Sequence, residues 1–454
     1  MKKKKKQTQM IQGKCINSSD RGMGIVKWKH NDVYVPNLIF GEEAKIKITG
    51  KSKSHYFGEI VSIIKESPLR TKPGCAIYDR CGGCQLMHVS YEGQLKEKQR
   101  YVLDVMKTIA KHNVTVDDII PMKDPYRYRN KIQVAFSSNK KGDIVAGFYE
   151  ENTHKVVQME TCHIQDKIAD AIVGSFKEIM KQYKIRPYDE DKRVGLIRHI
   201  LIRRGFHTDQ TMVVIVTSSN KFPGRNNVVK ALRNKHPEID TIIQNTNPRK
   251  TSIVLGEQER VLFGKGYIVD VLCGMKFKIS PKSFYQVNPV QTETLYNKAI
   301  DLANLKGNER VLDAYCGIGT IGLIASRKAG NVIGVEVNKD AIQDAIGNAK
   351  INNVKNVRFF TADASVFMVE LSNNNEKIDV VFLDPPRSGC DERFLKSLIK
   401  LKPKRVVYIS CDPKTQARDL SHLIKGGYKV NKIQPVDMFP HTHHVECIVS
   451  LEKE

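Results

Sequence analysis

The sequence predicts an α/β protein in three parts: a small N-terminal β-barrel, a central α+β region, and a C-terminal sheet of parallel strands with helices on both faces. Short β-prone runs separated by Gly, Asn and Lys fill residues 7–66, which predicts the barrel. From about residue 281 strand-like and helix-like patterns alternate, which predicts the parallel sheet. The stretch between them is mixed. A chain of 454 residues is long enough for two or three domains with buried cores.

The charge of the chain indicates its class of partner. A formal net charge of +25 comes from 74 Lys and Arg against 49 Asp and Glu. This excess favours a polyanion, because each neutralised phosphate releases a condensed counterion. A basic surface kept for solubility is the alternative. No apolar run approaches the ~18 residues of a membrane helix, and polar residues follow the Lys-rich start. We therefore expect a cytoplasmic protein that binds nucleic acid, with no membrane partner and no obligatory protein partner.

Residues 1–67 are expected to form the barrel. The β-prone runs share the short, even spacing of small closed sheets, and they lie at 24–28, 32–36, 44–48 and 57–64. The stretch VYVPNLIFGEEAKIKI at 33–48, followed by GKSKSHYFGEI at 50–60, resembles the TRAM domain, an OB-like barrel found on RNA-modifying enzymes. An undefined β-barrel is the alternative. A Lys-rich barrel face would provide a platform for RNA.

Residues 68–280 are expected to form the central domain. A helix is predicted at 91–112, and it could pack on the C-terminal domain. Its apolar residues recur at helical spacing: Leu95, Val102, Val105, Met106 and Ile109. Strands are predicted at KIQVAF (131–136) and TMVVIVT (211–217).

Basic and aromatic residues alternate in the central domain at PYRYRNK (125–131), and basic residues cluster in IRHILIRRG (197–205). Aromatic rings can stack on bases while Arg and Lys hold phosphates. We therefore expect RNA contact here and take Arg129 and Asn130 as candidate substrate residues. Packing of the tyrosines in a core is the alternative.

The C-terminal part, residues 281–454, carries the parallel sheet. Its predicted strands are short and apolar, and they lie in the segments 310–317, 331–338, 356–363, 379–386 and 405–413. Two further segments, 428–437 and 443–453, are expected to form an antiparallel pair at the edge of the sheet.

A glycine turn marks a ligand site in this sheet. DAYCGIGTIG (313–322) follows a strand and opens a helix, and Gly317 and Gly319 permit the tight bend that a nucleotide-like ligand needs. Glu336 ends the next strand, where it can accept from ribose hydroxyls. The turn alone would also fit a dinucleotide enzyme. The third glycine of the dinucleotide pattern is missing, however, and Cys316 lies inside the turn.

Asp384 follows an apolar strand and therefore emerges where ligands bind in open α/β folds. With the glycine turn, the DPP at 384–386 resembles the class I (Rossmann-like) S-adenosylmethionine methyltransferases. Amino-group methyltransferases of that fold carry Asn/Asp-Pro-Pro-aromatic here, whereas this chain has Arg387. The departure argues against an exocyclic nitrogen as the methyl acceptor.

Five motifs, in order along the chain, resemble the RNA uracil-5 methyltransferase family: FYQVN (284–288), DAYCGIGT (313–320), LDPPRSG (383–389), SCDP (410–413) and HVE (444–446). The resemblance implies that Cys411 is a nucleophile that adds to carbon 6 of uracil. Carbon 5 then becomes nucleophilic enough to take a methyl group. It also implies that Glu446 removes the carbon-5 proton so that the thiolate can leave.

The same resemblance implies the ligand contacts. Phe284 and Gln286 would contact the uracil, which is extruded from its stack. The residues implied to line the cofactor site are Gln286, Tyr315, Gly317, Thr320, Glu336, Asp363 and Asp384. His441, His443 and His444 have no matching carboxylate spacing and are interpreted as loop histidines.

A cysteine group lies in the central domain. Cys75, Cys81 and Cys84 form C-x5-C-x2-C, and Cys162 could supply a fourth thiolate. Four cysteines suit either tetrahedral zinc or a 4Fe-4S cluster. The pattern lacks the paired C-x2-C of a zinc ribbon and resembles the ribosomal-RNA branch of the family, which implies an iron–sulfur cluster with a structural or RNA-positioning role.

The expected function is thus methylation of uridine carbon 5 in 23S ribosomal RNA. A transfer-RNA uracil-5 methyltransferase is the first alternative, although such enzymes typically lack the TRAM domain and the cluster cysteines. A non-catalytic RNA-binding ribosome assembly factor is the second. The presence of both Cys411 and Glu446 argues against it.

Overall fold

The N-terminal strands close into a barrel. In the computed structural model, which describes residues 9–110, 115–150, 153–250 and 253–454, the strand order is β1-β2-β3-β5-β4. The strands are β1 Met10–Ser18, β2 Gly24–Trp28, β3 Asn31–Val35, β4 Glu43–Lys51 and β5 His55–Lys65. Alternate residues turn inward and build a core around Val26, Val33 and Ile46. The predicted barrel is confirmed, whereas the lysine run at 2–6 lies outside the described residues.

The central domain is built on a seven-stranded sheet in the order β12-β11-β10-β9-β6-β7-β8. Its strands are β6 Lys131–Ser138, β7 Ile144–Tyr149, β8 Val156–Gln158, β9 Ile197–Arg204, β10 Thr211–Thr217, β11 Ile239–Thr246 and β12 Gln258–Phe263. Helices α2 (Lys167–Gln182) and α3 (Arg225–Lys235) pack on it. A hairpin of β13 (Ile268–Leu272) and β14 (Met275–Ile279) follows.

Helix α1 spans Tyr91–Ala110, as its apolar spacing predicts, although residues 111 and 112 and the Ile109 side chain are outside the described part. Its inward residues Val102 and Met106 do not join the central core. They share a core with Leu383 and Tyr408 of the C-terminal sheet. The helix therefore packs on the C-terminal sheet.

The C-terminal sheet has the order β17-β16-β15-β18-β19-β21-β20. Its strands are β15 Arg310–Asp313, β16 Asn331–Glu336, β17 Val357–Thr361, β18 Val380–Leu383, β19 Arg405–Ser410, β20 Tyr428–Val436 and β21 Glu446–Lys453. The first five are parallel, and β20 and β21 are antiparallel at one side, as predicted. Helices cover both faces: α4 Pro289–Ala303, α5 Thr320–Ala325, α6 Lys339–Ile351, α7 Ala364–Asn373, α8 Glu392–Leu401 and α9 Pro413–Lys425.

The order of the strands reverses between β15 and β18, because the chain runs outward from β15 through β16 to β17 and then returns to β18 on the other side. A reversal of this kind opens a crevice at the carboxyl ends of the two strands, and ligands of open α/β sheets bind there. In the described residues no helix is both long and apolar enough to cross a membrane.

Candidate active site

The crevice between β15 and β18 has a wall made of backbone. Gly317 and Gly319 follow β15 with φ values of +53° and +84°, a region that favours glycine. A Cβ atom at Gly317 would meet no protein atom within 4 Å, whereas one at Gly319 would lie 2.9 Å from the Phe359 ring. Gly319 is therefore needed for packing, and Gly317 leaves open space for a ligand to approach the backbone.

The floor of the crevice is acidic. Asp313 is fully buried, and its Oδ2 accepts from Gly322 N at 2.8 Å, while Oδ1 has no partner within the part of the chain that the structure describes. Burial, aided by the charges of Asp384 and Glu336, raises the pKa of Asp313 to about 7. Burial also raises the pKa of Asp384 to about 7. A ligand with positive charge would relieve this repulsion, so the crevice suits a sulfonium or ammonium group.

The other implied cofactor residues surround this floor, but they differ in how free their side chains are. Glu336 bridges the turn, accepting from Gly317 N at 3.3 Å and from Asn338 N at 2.9 Å. Asp363 caps helix α7 through Oδ1. Thr320 begins α5 and lies near the buried Tyr296.

Tyr315 has a different environment from the other implied cofactor residues. Burial, together with the nearby Cys390 thiol, raises the pKa of its hydroxyl group, and its ring lies 5.7 Å from that of Phe394. The structure thus places Tyr315 under the loop that follows β18. This position supports the loop that carries Asp384.

Cys411 and Glu446 lie together at the carboxyl end of β19. Cys411 directly follows β19 and is half-buried, and Glu446 begins β21 and is 3% exposed. Burial and the charge of Asp384 raise the pKa of Glu446 to about 8, against the opposing effect of Arg387. Burial and the charge of Glu446 raise the pKa of the Cys411 thiol to about 11. A Glu446 that keeps its proton therefore makes ionisation of Cys411 easier.

Arg387 completes this pair. Its guanidinium lowers the pKa of both Cys411 and Glu446 through its positive charge, against the larger effect of burial. It also lies 3.5 Å from His444 Nδ1. A cation beside a thiol stabilises the thiolate, which is the nucleophilic form. In the sequence, Arg387 is notable only because it stands in place of an aromatic residue, since its distance to Cys411 depends on how the loop after β18 folds.

The candidate substrate residues fall into two groups. Phe284 is 69% exposed, which is unusual for an aromatic ring and leaves its face free for stacking. Gln286 is half-buried, and its carbonyl group accepts from Asn130 Nδ2 at 3.2 Å. Arg129, by contrast, lines the cysteine cavity with Lys131. Side chains alternate at this strand start, so Arg129 and Lys131 share one side and Asn130 faces the other.

An open cleft of about 1040 Å³ leads to Cys411. All three parts of the molecule line it: Arg21 and Phe57 from the barrel, Arg80 from the central domain, and Arg387 and His444 beside Cys411. Carboxylates line the cleft as well, among them Asp20 and Asp412. The arginines can hold phosphates, and the Phe57 ring can pack against an unstacked base.

The four candidate metal ligands lie around one cavity. Cys75, Cys81, Cys84 and Cys162 line a space of about 280 Å³. In the residues described, however, no group of three or more His, Cys, Asp or Glu side chains is arranged to hold a metal ion. The thiols therefore share one cavity without forming the close tetrahedron of a single zinc ion, whose Zn–S distances are about 2.3 Å.

Asp313 and Tyr296 were not predicted as site residues from the sequence. Asp313 ends the strand before the glycine turn, and a carboxylate at that point is a signal that could have been used. Tyr296 lies on α4, buried against Thr320 and close enough to Asp384 to be influenced by its charge. Nothing in the sequence around Tyr296 distinguishes it from an ordinary core residue.

Comparisons with known proteins identify the relatives of this chain. Residues 90–454 match the profile of the family described as "tRNA (Uracil-5-)-methyltransferase". An "Uncharacterized RNA methyltransferase" of Bacillus cereus is 44% identical over 433 residues, covering 95% of this chain and 94% of the relative. One from Listeria innocua is 43% identical over 446 residues, covering 98% of each.

A solved structure is similar along the full chain. It is the tRNA (uracil-54, C5)-methyltransferase of Pyrococcus abyssi in complex with S-adenosyl-L-homocysteine. The TM-score is 0.78 and the identity 30%, and the match covers 97% of this chain and 99% of that one. The similarity therefore extends to the barrel and the central domain as well as to the sheet.

Proposed function

This chain belongs to the RNA uracil-5 methyltransferase family, and from that premise we propose that it methylates carbon 5 of a uridine in 23S ribosomal RNA with Cys411 as a covalent nucleophile. S-adenosylmethionine supplies an electrophilic methyl group in this family. The observation that carries the proposal is the meeting of Cys411, Arg387 and Glu446 at the end of β19, beside the acidic crevice. The open space at Gly317 and the repelling carboxyls of Asp313 and Asp384 fit that positively charged methyl donor.

In the addition step, the Cys411 sulfur forms a bond to carbon 6 of the uracil. Arg387 stabilises the thiolate before this bond forms. Glu446 holds its proton at neutral pH, so the thiolate meets little negative charge from it. The electron pair that leaves the C5–C6 double bond makes carbon 5 nucleophilic. Carbon 5 then bonds to the methyl carbon of S-adenosylmethionine as the bond between this methyl carbon and the sulfonium sulfur breaks.

In the elimination step, Glu446 accepts the proton from carbon 5. The C5–C6 double bond re-forms, and the bond between Cys411 and carbon 6 breaks. The acceptor must be the ionised carboxylate, which a group of pKa about 8 becomes after losing its proton to solvent or a neighbour. A carboxylate of such a raised pKa is a stronger base than an exposed one.

Phe284 and Gln286 are proposed to hold the uracil. The exposed Phe284 ring offers a stacking face for a base taken out of its stack. Gln286 lies two residues further on and is fixed through its backbone to Asn130. An amide side chain can both donate to and accept from the edge of a uracil.

The choice of 23S ribosomal RNA rests on the resemblance of the cysteine group to the ribosomal-RNA branch of the family. The similarity to the Pyrococcus abyssi enzyme, whose name states a transfer-RNA substrate, favours transfer RNA as the second candidate, because that enzyme shares the whole architecture. The barrel therefore does not separate the two substrates.

We also propose that the four cysteines hold a 4Fe-4S cluster. The support for this proposal is that all four thiols line one cavity of about 280 Å³. Burial raises the pKa of the Cys84 thiol, and the charge of Arg129, at the same cavity, opposes this effect. The cluster takes no part in the methyl-transfer steps.

The direct test supplies purified protein with labelled S-adenosylmethionine and unmodified transcripts of 23S ribosomal RNA and of transfer RNA. We expect 5-methyluridine in the ribosomal transcript, none with Cys411→Ala, and full activity with Cys273→Ala as the matched control. Methylation of the transfer RNA alone would refute 23S ribosomal RNA as the substrate in favour of transfer RNA. Methylation by Cys411→Ala would overturn the mechanism.

A further inference from the structure

The loop between β20 and β21, residues 437–445, forms the wall of the cleft beside Cys411. His443, His444 and Val445 line the cleft, and His444 lies next to Arg387. Glu446 begins where this loop ends. The shape of the loop therefore sets where Arg387 and Glu446 lie relative to the thiol.

The loop is held largely by residues from outside the C-terminal sheet. The ammonium group of Lys98 donates to Asp437 Oδ1 at 2.5 Å and to the carbonyl oxygen of Phe439 at 3.0 Å. The Tyr91 hydroxyl donates to Asp437 Oδ2 at 2.8 Å. Lys98 and Asp437 are both buried, so α1 fixes the first half of the loop through an ion pair that water does not reach.

The centre of the loop is His441, which is buried and has a φ of +68°. A left-handed backbone at a residue other than glycine costs free energy and persists only where the surroundings enforce it. The enforcing contacts are visible. His441 N donates to Gln94 Oε1 at 2.8 Å, and the His441 carbonyl group accepts from Gln85 N and Leu86 N at 3.0 and 2.9 Å.

The Gln85 contact brings in the cysteine group, because Gln85 directly follows Cys84. The Gln85 side chain lies 3.3 Å from His443 Nδ1, and its carbonyl group accepts from the Tyr78 hydroxyl at 2.8 Å. Tyr128, which packs with Cys84 and Cys162, donates to the carbonyl oxygen of Pro440 at 3.0 Å. The cysteine-bearing segment and the loop are therefore one hydrogen-bonded unit.

We propose that Gln94 and Gln85 are positioning residues for the reaction, which hold the loop 437–445 so that Glu446 and Arg387 face Cys411. This inference rests on the proposed function, because it assumes the base role of Glu446. Loosening the loop moves the base from the carbon-5 proton more than it moves the thiol, which is fixed at the end of β19. The expected defect is thus slow elimination, with addition largely preserved.

The test uses Gln94→Met, which keeps the side-chain length but removes the acceptor for His441 N and the contacts of Gln94 Nε2 with Val89 O and His441 Nδ1. Gln94→Glu retains the acceptor for His441 N and loses the two Nε2 contacts. Gln244→Met is the matched control, since Gln244 is equally buried and hydrogen-bonded, but in the central sheet. Two rates are measured on substrate RNA: formation of the denaturation-resistant protein–RNA adduct in a single turnover, and multiple turnover.

We expect Gln94→Met to form adduct within about 3-fold of the wild-type rate, to turn over at least 10-fold more slowly, and to accumulate adduct. Gln94→Glu should recover most of the turnover, and Gln244→Met should change neither rate. Should Gln94→Met fail to fold, Tyr128→Phe removes one contact to the loop without changing its packing, and a smaller defect in the same direction is expected.

Equal loss of both rates, or no loss in either, would overturn the positioning role. Adduct accumulation in Glu446→Gln distinguishes failure of the positioning role from failure of the proposed function. If that variant also fails to accumulate adduct, the base assignment is wrong. If it accumulates adduct and the Gln94 and Tyr128 variants do not, only the positioning role is refuted.

Discussion

Cys411 and Glu446 face each other across neighbouring antiparallel strands, each one residue beyond the paired Ser410 and Cys447. The sheet register therefore sets the face of the sheet on which the nucleophile and its proposed base lie, and the loop before Glu446 sets their exact distance. A shift of register by one residue would turn one of them to the opposite face. The pairing explains why the Glu446 carboxyl contributes to the raised pKa of a thiol that is 35 positions away in sequence.

Replacement of the base should trap the reaction after methyl transfer. With Glu446→Gln we expect addition and methyl transfer to continue and elimination to slow by about 100-fold or more, the usual range for loss of a general base. A methylated RNA bound covalently to the protein should then appear as a slow band on a denaturing gel. Glu452→Gln, at the far end of the same strand, is the control. Normal turnover without a band would contradict the base role.

The buried carboxyl of Glu446 should also lower the stability of the fold at neutral pH. Its pKa is about 8 in the folded protein and near 4.5 when exposed, so the unfolded chain releases the proton first. Stability due to this group is therefore full below about 4.5 and falls as the pH rises to about 8.

Glu446→Gln should consequently unfold at a higher temperature than wild type at pH 8, by several degrees, and at nearly the same temperature at pH 4.5. Thermal unfolding followed across this range measures the difference. A lower melting temperature of the variant at pH 8 would show that the carboxylate is stabilised in the fold instead.

The glycine turn should tolerate a methyl group in the fold but not in the ligand complex. Gly317→Ala places a Cβ in open space at a φ of +53°, so we expect modest destabilisation and at least a 10-fold weaker affinity for S-adenosyl-L-homocysteine by calorimetry. Gly347→Ala is the control, because its Cβ also meets nothing within 4 Å, but on helix α6. Unchanged affinity in Gly317→Ala would place the ligand elsewhere.

Metal analysis tests the cysteine cavity. Protein purified without oxygen should be brown and hold about four irons per chain, and Cys84→Ser should lose most of the iron. Cys15→Ser, which removes a thiol from the barrel core, should leave the iron content unchanged. One zinc per chain, or no bound metal, would contradict the cluster.

The sequence predicted well whatever depends on local pattern. The alternation of strands and helices, the barrel, helix α1 and the antiparallel end of the sheet all follow from periodicity and turn residues, and the structure confirms them. The tight bend at Gly317 was equally predictable, because a positive φ favours glycine over other residue types.

Relationships that depend on loop folding or on packing between distant segments could not be predicted from the sequence. Arg387 reaches Cys411 because the loop after β18 is anchored by Asp419, whose carboxylate accepts from Cys390 N and from the Tyr408 hydroxyl. Arg129 turns to the cysteine cavity, although its neighbours in sequence suggested RNA contact. His441 was expected to be an ordinary loop histidine, yet its backbone joins two domains.

The central claim is that the Cys411 sulfur bonds to carbon 6 of a uracil, and one measurement tests it most directly. Substrate RNA with 5-fluorouridine at the target position is incubated with the protein and S-adenosylmethionine, digested, and mapped by mass spectrometry. A base can remove hydrogen from carbon 5 as a proton but cannot remove fluorine as a cation, so elimination stops. We predict a methylated nucleotide attached to the peptide that contains Cys411, and no attachment in Cys411→Ala. Attachment through another residue, or methylation without any covalent capture, would contradict the account.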